Sequence, residues 1–83
     1  SLDYVNPNII GFIKYAIREK DFDFNVSEII NKANLMCTPT QLGKLINSNL
    51  DLLEKEGLHI TKYRTTEGRM YHIKYEEPSL ENE

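Results

Sequence analysis

Cations gather at the turn of a predicted β-hairpin. Between Gly57 and Tyr75 the chain has a local charge of +3, from four basic residues and one acidic residue. The basic residues are Lys62, Arg64, Arg69 and Lys74. Arg64 and Arg69 flank a glycine-containing turn, and a turn needs no cations in order to fold. Guanidinium groups bind phosphate through paired hydrogen bonds, so this pair predicts a phosphate clamp or insertion into a DNA minor groove.

Neutral hydrogen-bonding side chains line one face of a long predicted helix, from Thr38 to Gly57. Opposite its leucine-rich stripe lie Thr40, Gln41, Gly43, Lys44, Asn47 and Ser48, with no acid before Asp51. A helix face that only needs solvation usually carries Glu and Lys four residues apart. Short polar groups can instead approach a base edge or a phosphate closely. This face therefore predicts nucleic-acid contacts, and a plain solvated face is the alternative.

Catalytic and metal-binding chemistry has little support in the residue spacing. His59, His72 and Cys37 are the candidate metal ligands or nucleophiles, and their separations match no zinc motif. The acids form no paired-carboxylate pattern. Gly57 and Gly68 stand where a helix end and a turn need glycine, rather than in a phosphate-binding loop. We therefore expect no enzyme activity, no cofactor, no metal and no small-molecule substrate.

Length and charge predict one domain followed by an acidic tail. The 83 residues carry a net charge of −3, and four of the 13 acids lie in the last eight residues. Residues 1–75 would form the domain, with ten cations against nine acids. Residues 76–83 would be a disordered tail that competes with DNA for the basic hairpin. One cysteine, no signal peptide and no apolar run of membrane-spanning length favour a cytoplasmic protein. Because the first residue is Ser1, we expect a fragment of a longer protein.

The helices that position these groups have marked beginnings and ends. Thr38-Pro39-Thr40-Gln41 is a capping box with proline at the first helical position, and Gly57 suits the residue after the helix. The weakly helical segment Asn47-Ser48-Asn49 is where this helix would bend or break. Asn6-Pro7 starts an earlier helix by the same logic.

Alternating patterns predict a small sheet between and after the helices. Phe22 to Val26 alternates like a half-buried strand, and Ser27 then caps a second helix with Glu28 in its first turn. Leu58–Arg64 and Arg69–Tyr75 alternate again and predict a hairpin that pairs with the short strand. One face of this hairpin carries Leu58, Ile60, Tyr71, Ile73 and Tyr75. The class is α+β, with three helices and a small antiparallel sheet. The predicted core is Ile13, Ile17, Ile29, Leu42, Leu45, Ile46, Leu53, Ile60 and Ile73.

This order of elements resembles the winged-helix (winged helix-turn-helix) domain over about residues 6–75. The segments Leu52–Leu58, Tyr63-Arg64 and Gly68–Tyr71 are also similar to the C-terminal winged-helix modules of phage, plasmid and mobile-island primase-helicases. The resemblance implies that the third helix enters the major groove and that the hairpin, or wing, touches the flanking backbone or the minor groove. The implied helix contacts are Thr38, Thr40, Gln41, Lys44, Asn47 and Ser48. The implied wing contacts are Lys62, Arg64, Arg69 and Lys74.

Two functions from different classes follow. The first is a module that binds double-stranded DNA within a larger replication protein of a mobile element, or within a regulator, with other domains of the parent protein as possible partners. The second is a winged-helix module that docks onto protein and does not bind DNA, since a fold does not decide function. Salt separates them, because phosphate contacts release counterions and weaken steeply as salt rises.

Overall fold

Helices and strands alternate along the chain, of which the computed structural model describes residues 5–79. The elements in this range are α1 (Pro7–Glu19), β1 (Asp21–Phe24), α2 (Val26–Lys32), α3 (Pro39–Ser48), α4 (Leu50–Lys55), β2 (Leu58–Thr65) and β3 (Gly68–Tyr75). The predicted α+β class is confirmed, with four helices in the described range rather than three. None of these helices is long and apolar enough to cross a membrane.

The beginnings of α1 and α3 follow the sequence signals. The Asn6 side chain accepts a hydrogen bond of 2.8 Å from the amide of Asn8, and proline follows at the first helical position. At α3 the Gln41 amide donates to the Thr38 hydroxyl at 3.1 Å, and the Thr38 amide donates to the Gln41 side chain at 2.9 Å. The predicted capping box is therefore confirmed. These bonds satisfy amides that would otherwise have no partner within the helix.

Two predicted boundaries are wrong. The cap of α2 is Asn25, whose side chain accepts from the Glu28 amide at 2.8 Å, and not Ser27. Asn25 has extended dihedral angles, φ −110° and ψ 161°, so it is the last residue before the helix. Ser27 consequently lies inside the first turn, and β1 ends at Phe24 instead of Val26.

The single helix predicted from Thr38 to Gly57 is two helices that meet at Asn49. The Ser48 hydroxyl donates to the Lys44 carbonyl at 2.6 Å, and the Asn49 side-chain amide donates to the Leu45 carbonyl at 2.7 Å. These carbonyls are the acceptors that α-helical amides at 48 and 49 would use. The Asn49 amide turns instead to the Ile46 carbonyl at 3.2 Å. The break thus falls within the segment that the sequence marked as weakly helical.

The sheet has the antiparallel strand order β1-β3-β2. In the hairpin, Leu58 lies opposite Tyr75 and Ile60 lies opposite Ile73, so the predicted apolar face is confirmed. We call this the inner face. It comprises the even-numbered residues 58–64 and the odd-numbered residues 69–75. The outer face carries His59, Thr61, Tyr63, Met70, His72 and Lys74.

The core lies between the helices and the inner face of the sheet. Its buried residues are Phe12, Ala16, Phe24, Ile29, Leu42, Ile46, Leu53, Leu58, Tyr71 and Ile73, with Ile13, Ile17 and Ile60 packed against them. Leu45 is half-buried and lies outside this cluster, so its predicted core position is wrong. The Tyr71 ring stacks on Phe24 with centroids 5.1 Å apart and 11° between the planes. Tyr71 therefore fixes the hairpin against β1 and the core.

The first residue of the predicted tail is attached to the domain. The Glu76 amide donates to the Gly57 carbonyl at 2.8 Å. Gly57 has φ +94°, and a Cβ there would collide with the Glu76 carbonyl oxygen. Glu76–Ser79 are described without helix or strand, whereas residues 80–83 of the predicted disordered tail lie outside the described residues.

Candidate functional site

A groove of about 400 Å³ separates α3 from the inner face of the hairpin. Its lining residues are Val26, Pro39, Thr40, Gly43, Lys44, Asn47, Arg64, Arg69 and Tyr71. Three of them are basic and none is acidic. The groove therefore brings together one part of the predicted helix face and the two arginines of the wing.

Only one stripe of α3 faces the groove. Thr40, Gly43, Lys44 and Asn47 follow one another at spacings of three and one, and this places them on a single side of the helix. Gln41 and Ser48 instead border a second concavity, beside Asn6, Asn8 and Met36, and Lys44 borders both. The helix face predicted as a unit is thus divided between two surfaces.

Three predicted helix contacts are engaged in local hydrogen bonds. Thr38 and Gln41 bond each other's backbone amides in the capping box, and the Ser48 hydroxyl donates to the Lys44 carbonyl. Each of these side chains therefore uses a polar group in a hydrogen bond within the α3 segment. Thr40, Lys44 and Asn47 are the predicted helix contacts that line the groove.

Arg64 and Arg69 lie directly opposite each other on the inner face of the hairpin. Like charges in this position destabilise a sheet. Within residues 5–79 neither arginine takes part in an ion pair, nor do Lys44 or Lys62. Both arginines are exposed. The pair is therefore an uncompensated local concentration of positive charge.

Lys62 joins the wing to α3. It lies one inner-face position before Arg64, and its ammonium group donates to the Asn47 side-chain oxygen at 3.2 Å. Both residues are exposed. Lys62 thus belongs to the same basic surface. We call this surface, formed by Lys62 and the lining residues above, the α3–wing groove.

Gly43 occupies the middle of α3, where glycine costs about 1 kcal/mol relative to alanine. A Cβ at this position would meet nothing within 4 Å, so packing inside the chain does not require glycine. Gly43 lies on the predicted polar face of the helix but is not among the predicted contacts. The sequence did contain a signal for Gly43. A glycine in a helix interior lowers helix stability, and such a glycine usually has a packing or functional reason.

The outer face of the hairpin holds the remaining candidates. Lys74 lies there, opposite His59 and beside Asp21 in the register, so the structure does not bring it to the α3–wing groove. Tyr63 is 42% exposed, and its hydroxyl donates to the Asp23 carboxylate at 2.6 Å. The outer face is therefore separated from the groove by the sheet itself.

The two histidines are held by carboxylates and not by each other. His59 lies 2.8 Å from Glu54 and 3.2 Å from Glu76. His72 lies 3.1 Å from both Asp21 and Asp23. Across residues 5–79, no group of three His, Cys, Asp or Glu side chains is arranged to hold a metal ion.

Cys37 is a poor nucleophile in this setting. The thiol is half-buried, and burial raises its pKa above the ordinary value. The thiol form therefore predominates at neutral pH, and the thiolate is the reactive species.

Comparisons of the chain with protein-family models, curated proteins and solved structures found no match.

Besides Gly43, three groove residues were not predicted as contacts. They are Val26, Pro39 and Tyr71. No sequence pattern assigns them to the groove, because their positions depend on how α2, α3 and β3 pack together. Tyr71 is both a core residue and a lining residue, so it connects the groove to the rest of the fold.

Proposed function

We propose that this chain is a winged-helix domain that binds double-stranded DNA through the α3–wing groove. The element order, with a short strand between the first two helices and a hairpin after the last, supports this fold. The strand order β1-β3-β2 also supports it. The strand β1 has only four residues, so the hairpin of β2 and β3 extends beyond it.

The observation that carries the proposal is the pair Arg64 and Arg69. Two arginines opposite each other, with no ion pair to a carboxylate in the described residues, cost stability in the free protein. A phosphate between them would accept hydrogen bonds from both and remove the repulsion. Residues that break a local rule of stability tend to mark functional sites. The nearby Lys62 adds a third cation to the same face.

The other side of the groove suits DNA for a different reason. A helix of ten residues is about 15 Å long, and a major groove about 12 Å wide admits a helix. Gly43 leaves space for close approach of a backbone or base. Asn47 and Thr40 offer hydrogen bonds beside it. We assign base contacts to this stripe and phosphate contacts to the wing.

The net charge of −3 is compatible with this function because of where the acids lie. Asp21, Asp23 and Glu28 lie on β1 and α2, and Glu54 and Glu76 flank His59. The lining of the α3–wing groove has no acid. Electrostatic attraction is screened over about 10 Å at 0.1 M salt, so the local charge matters more than the total. We further propose that the domain is a module of a larger replication protein of a mobile element, or of a regulator.

The testing experiment measures duplex affinity as a function of salt. We expect the chain to bind duplex DNA with an affinity that falls steeply as salt rises. Replacing both arginines, Arg64→Ala with Arg69→Ala, should weaken binding to all duplex sequences by a similar factor. The slope of log affinity against log salt should shrink by about one unit per lost phosphate contact.

The matched control removes two cations elsewhere, Lys14→Ala with Lys55→Ala on α1 and α4. The net charge then falls by the same amount, and we expect the salt slope to change little. Equal effects of the two double variants would show that only total charge matters and would count against the groove. If the intact chain shows no salt-dependent binding at tens of micromolar, the DNA proposal fails, and protein docking becomes the better function.

A further inference from the structure

The hydrogen bond between Lys62 and Asn47 determines which groups the α3–wing groove offers to a base. The Asn47 side-chain oxygen accepts from the Lys62 ammonium at 3.2 Å. Lys62 is on β2 and Asn47 on α3, so the bond spans the groove wall between the wing and the helix. The contact is made by two exposed side chains.

The bond leaves the pair rich in donors. An asparagine side chain has one acceptor oxygen and an NH₂ group with two donors, and a lysine ammonium has three donors. With the oxygen bonded to Lys62, one of its two lone pairs is left for a ligand, against the two donors of the Asn47 NH₂ and the remaining ammonium hydrogens. A free asparagine reads adenine by accepting from N6 and donating to N7 at once. At Asn47 the Lys62 ammonium lies beside that acceptor, so its positive charge opposes the approach of the adenine N6 donor.

The bases differ in how they match two donors. In the major groove guanine presents two neighbouring acceptors, O6 and N7, whereas adenine presents the acceptor N7 beside the donor N6. Two donors facing adenine would leave one donor against another. The helix carries no arginine, the usual reader of guanine. Two side chains from two elements can take its place.

We propose that Asn47 and Lys62 together read a guanine in the major groove. This rests on the proposed function, because it assigns a specificity to the same groove. Asn47 donates to one of the two guanine acceptors and Lys62 donates to the other. Lys62 therefore acts on a base as well as on the charge of the wing.

The test begins with selection of bound duplexes from a pool of random sequence. We expect one position to be enriched in guanine. Replacing that guanine by 7-deazaguanine removes N7 and should weaken binding about fivefold or more. Replacing it by inosine keeps O6 and N7 and should leave the affinity within about twofold.

Two variants connect the preference to the pair. Asn47→Ala and Lys62→Ala should each reduce the preference for guanine, and the variant that loses the contact to N7 should also lose the difference between guanine and 7-deazaguanine. Lys55→Ala, which removes an equal charge outside the groove, should keep both. Both pair residues are exposed, and an unchanged denaturation midpoint would confirm that the variants fold.

The contrary outcomes are distinct. Selection of adenine in an Asn47-dependent manner would overturn the inference, because it would show that the amide oxygen is free to read a base. Binding without any base preference, or a guanine preference that survives both variants, would overturn it while leaving the proposed function standing. Absence of salt-dependent binding to any duplex would overturn the proposed function itself.

Discussion

The Tyr63 hydroxyl on β2 donates a 2.6 Å hydrogen bond to Asp23 on β1, across the strand that separates them. The bond from Tyr63 holds the pKa of Asp23 below its ordinary value, with a further contribution from the hydrogen bond to His72. The same bond raises the pKa of Tyr63. The outer face of the wing is therefore fastened to the first strand.

The Tyr63 bond predicts a pH window for stability. The lowered pKa of Asp23 favours its charged form. The stabilisation by charged Asp23 is therefore present above pH 3.8, the ordinary pKa, and is lost as pH falls through the lowered pKa. The raised pKa of Tyr63 favours its neutral form. The stabilisation by neutral Tyr63 is therefore present below pH 10.0, the ordinary pKa, and is lost as pH rises through the raised pKa. We expect Tyr63→Phe to lower the urea midpoint near neutral pH.

The size of the Tyr63→Phe effect should shrink at both ends of that window. In an Asp23→Asn background the acid-side change should disappear, because the amide does not titrate; a double-mutant cycle measures this directly. A Tyr63→Phe effect that stays constant from neutral pH down to about pH 2.5 would contradict the assignment to Asp23.

Gly43→Ala should separate stability from binding. We expect the free energy of unfolding to rise by up to about 1 kcal/mol, because alanine favours the helix interior and the new Cβ meets nothing. We expect duplex affinity to fall, because the methyl group projects into the α3–wing groove. Chemical denaturation and a binding titration on the same sample measure both quantities.

Gly11→Ala on α1 is the matched control for Gly43→Ala. Its Cβ would lie 3.0 Å from the Leu35 side chain, so the gain in stability should be smaller or absent. Duplex affinity should not change, because Gly11 does not line the groove. If Gly43→Ala raised affinity together with stability, close approach at this position would be excluded.

Arg64→Glu should also raise stability while it weakens duplex binding. The new carboxylate would lie opposite Arg69, and an opposite-charge cross-strand pair contributes roughly 0.2–1 kcal/mol. We therefore expect a higher denaturation midpoint together with a loss of duplex affinity of about tenfold or more. Lys14→Glu changes the net charge equally and should lower affinity far less. A destabilised Arg64→Glu variant would show that the arginine pair does not strain the hairpin.

The position of the tail revises the competition predicted from the sequence. Glu76 is held at Gly57 and His59, and it follows Arg69 by seven residue steps, about 24 Å along β3. At about 50 mM salt the screening length is about 14 Å. We expect truncation after Ser79 to change duplex affinity by less than about twofold. Truncation after Tyr75 should in addition lower stability, because it removes the bonds of Glu76.

Affinity titrations of both truncated chains, with denaturation curves, test this account of the tail. The seven residues after Glu76 span at most about 25 Å, so only a fully extended tail reaches the wing. If removal of the residues after Ser79 raised duplex affinity several-fold, the competition predicted from the sequence would be supported.

Local signals in the sequence were sufficient for the starts of α1 and α3 and for the faces of the hairpin. The capping box at Thr38 and Gln41 involves residues three apart, and alternation fixes the inner face through Ile60 and Ile73. Such patterns do not depend on distant parts of the chain. The cap of α2 was missed because Asn25 and Ser27 are both good capping residues, and the end of β1 selects between them.

The composition of the candidate site depended on tertiary packing. Leu45 continues the apolar stripe in the sequence, yet in the packed structure it is half-buried outside the core. The same packing places Asn47 at the groove beside the wing and Ser48 at the second concavity. Periodicity gives the spacing of side chains around a helix and does not give the direction in which the helix rests on its neighbours.

Lys62 and Tyr63 are consecutive, and they fasten the wing on its two faces, to Asn47 and to Asp23. Because strand side chains alternate, inserting one residue before Lys62 would exchange the two faces and break both attachments. Adding one residue to each strand beyond Tyr63 would instead reverse the arginines alone, and adding two to each would lengthen the arm with its polarity intact. The wing can therefore change its reach only in steps of two residue pairs.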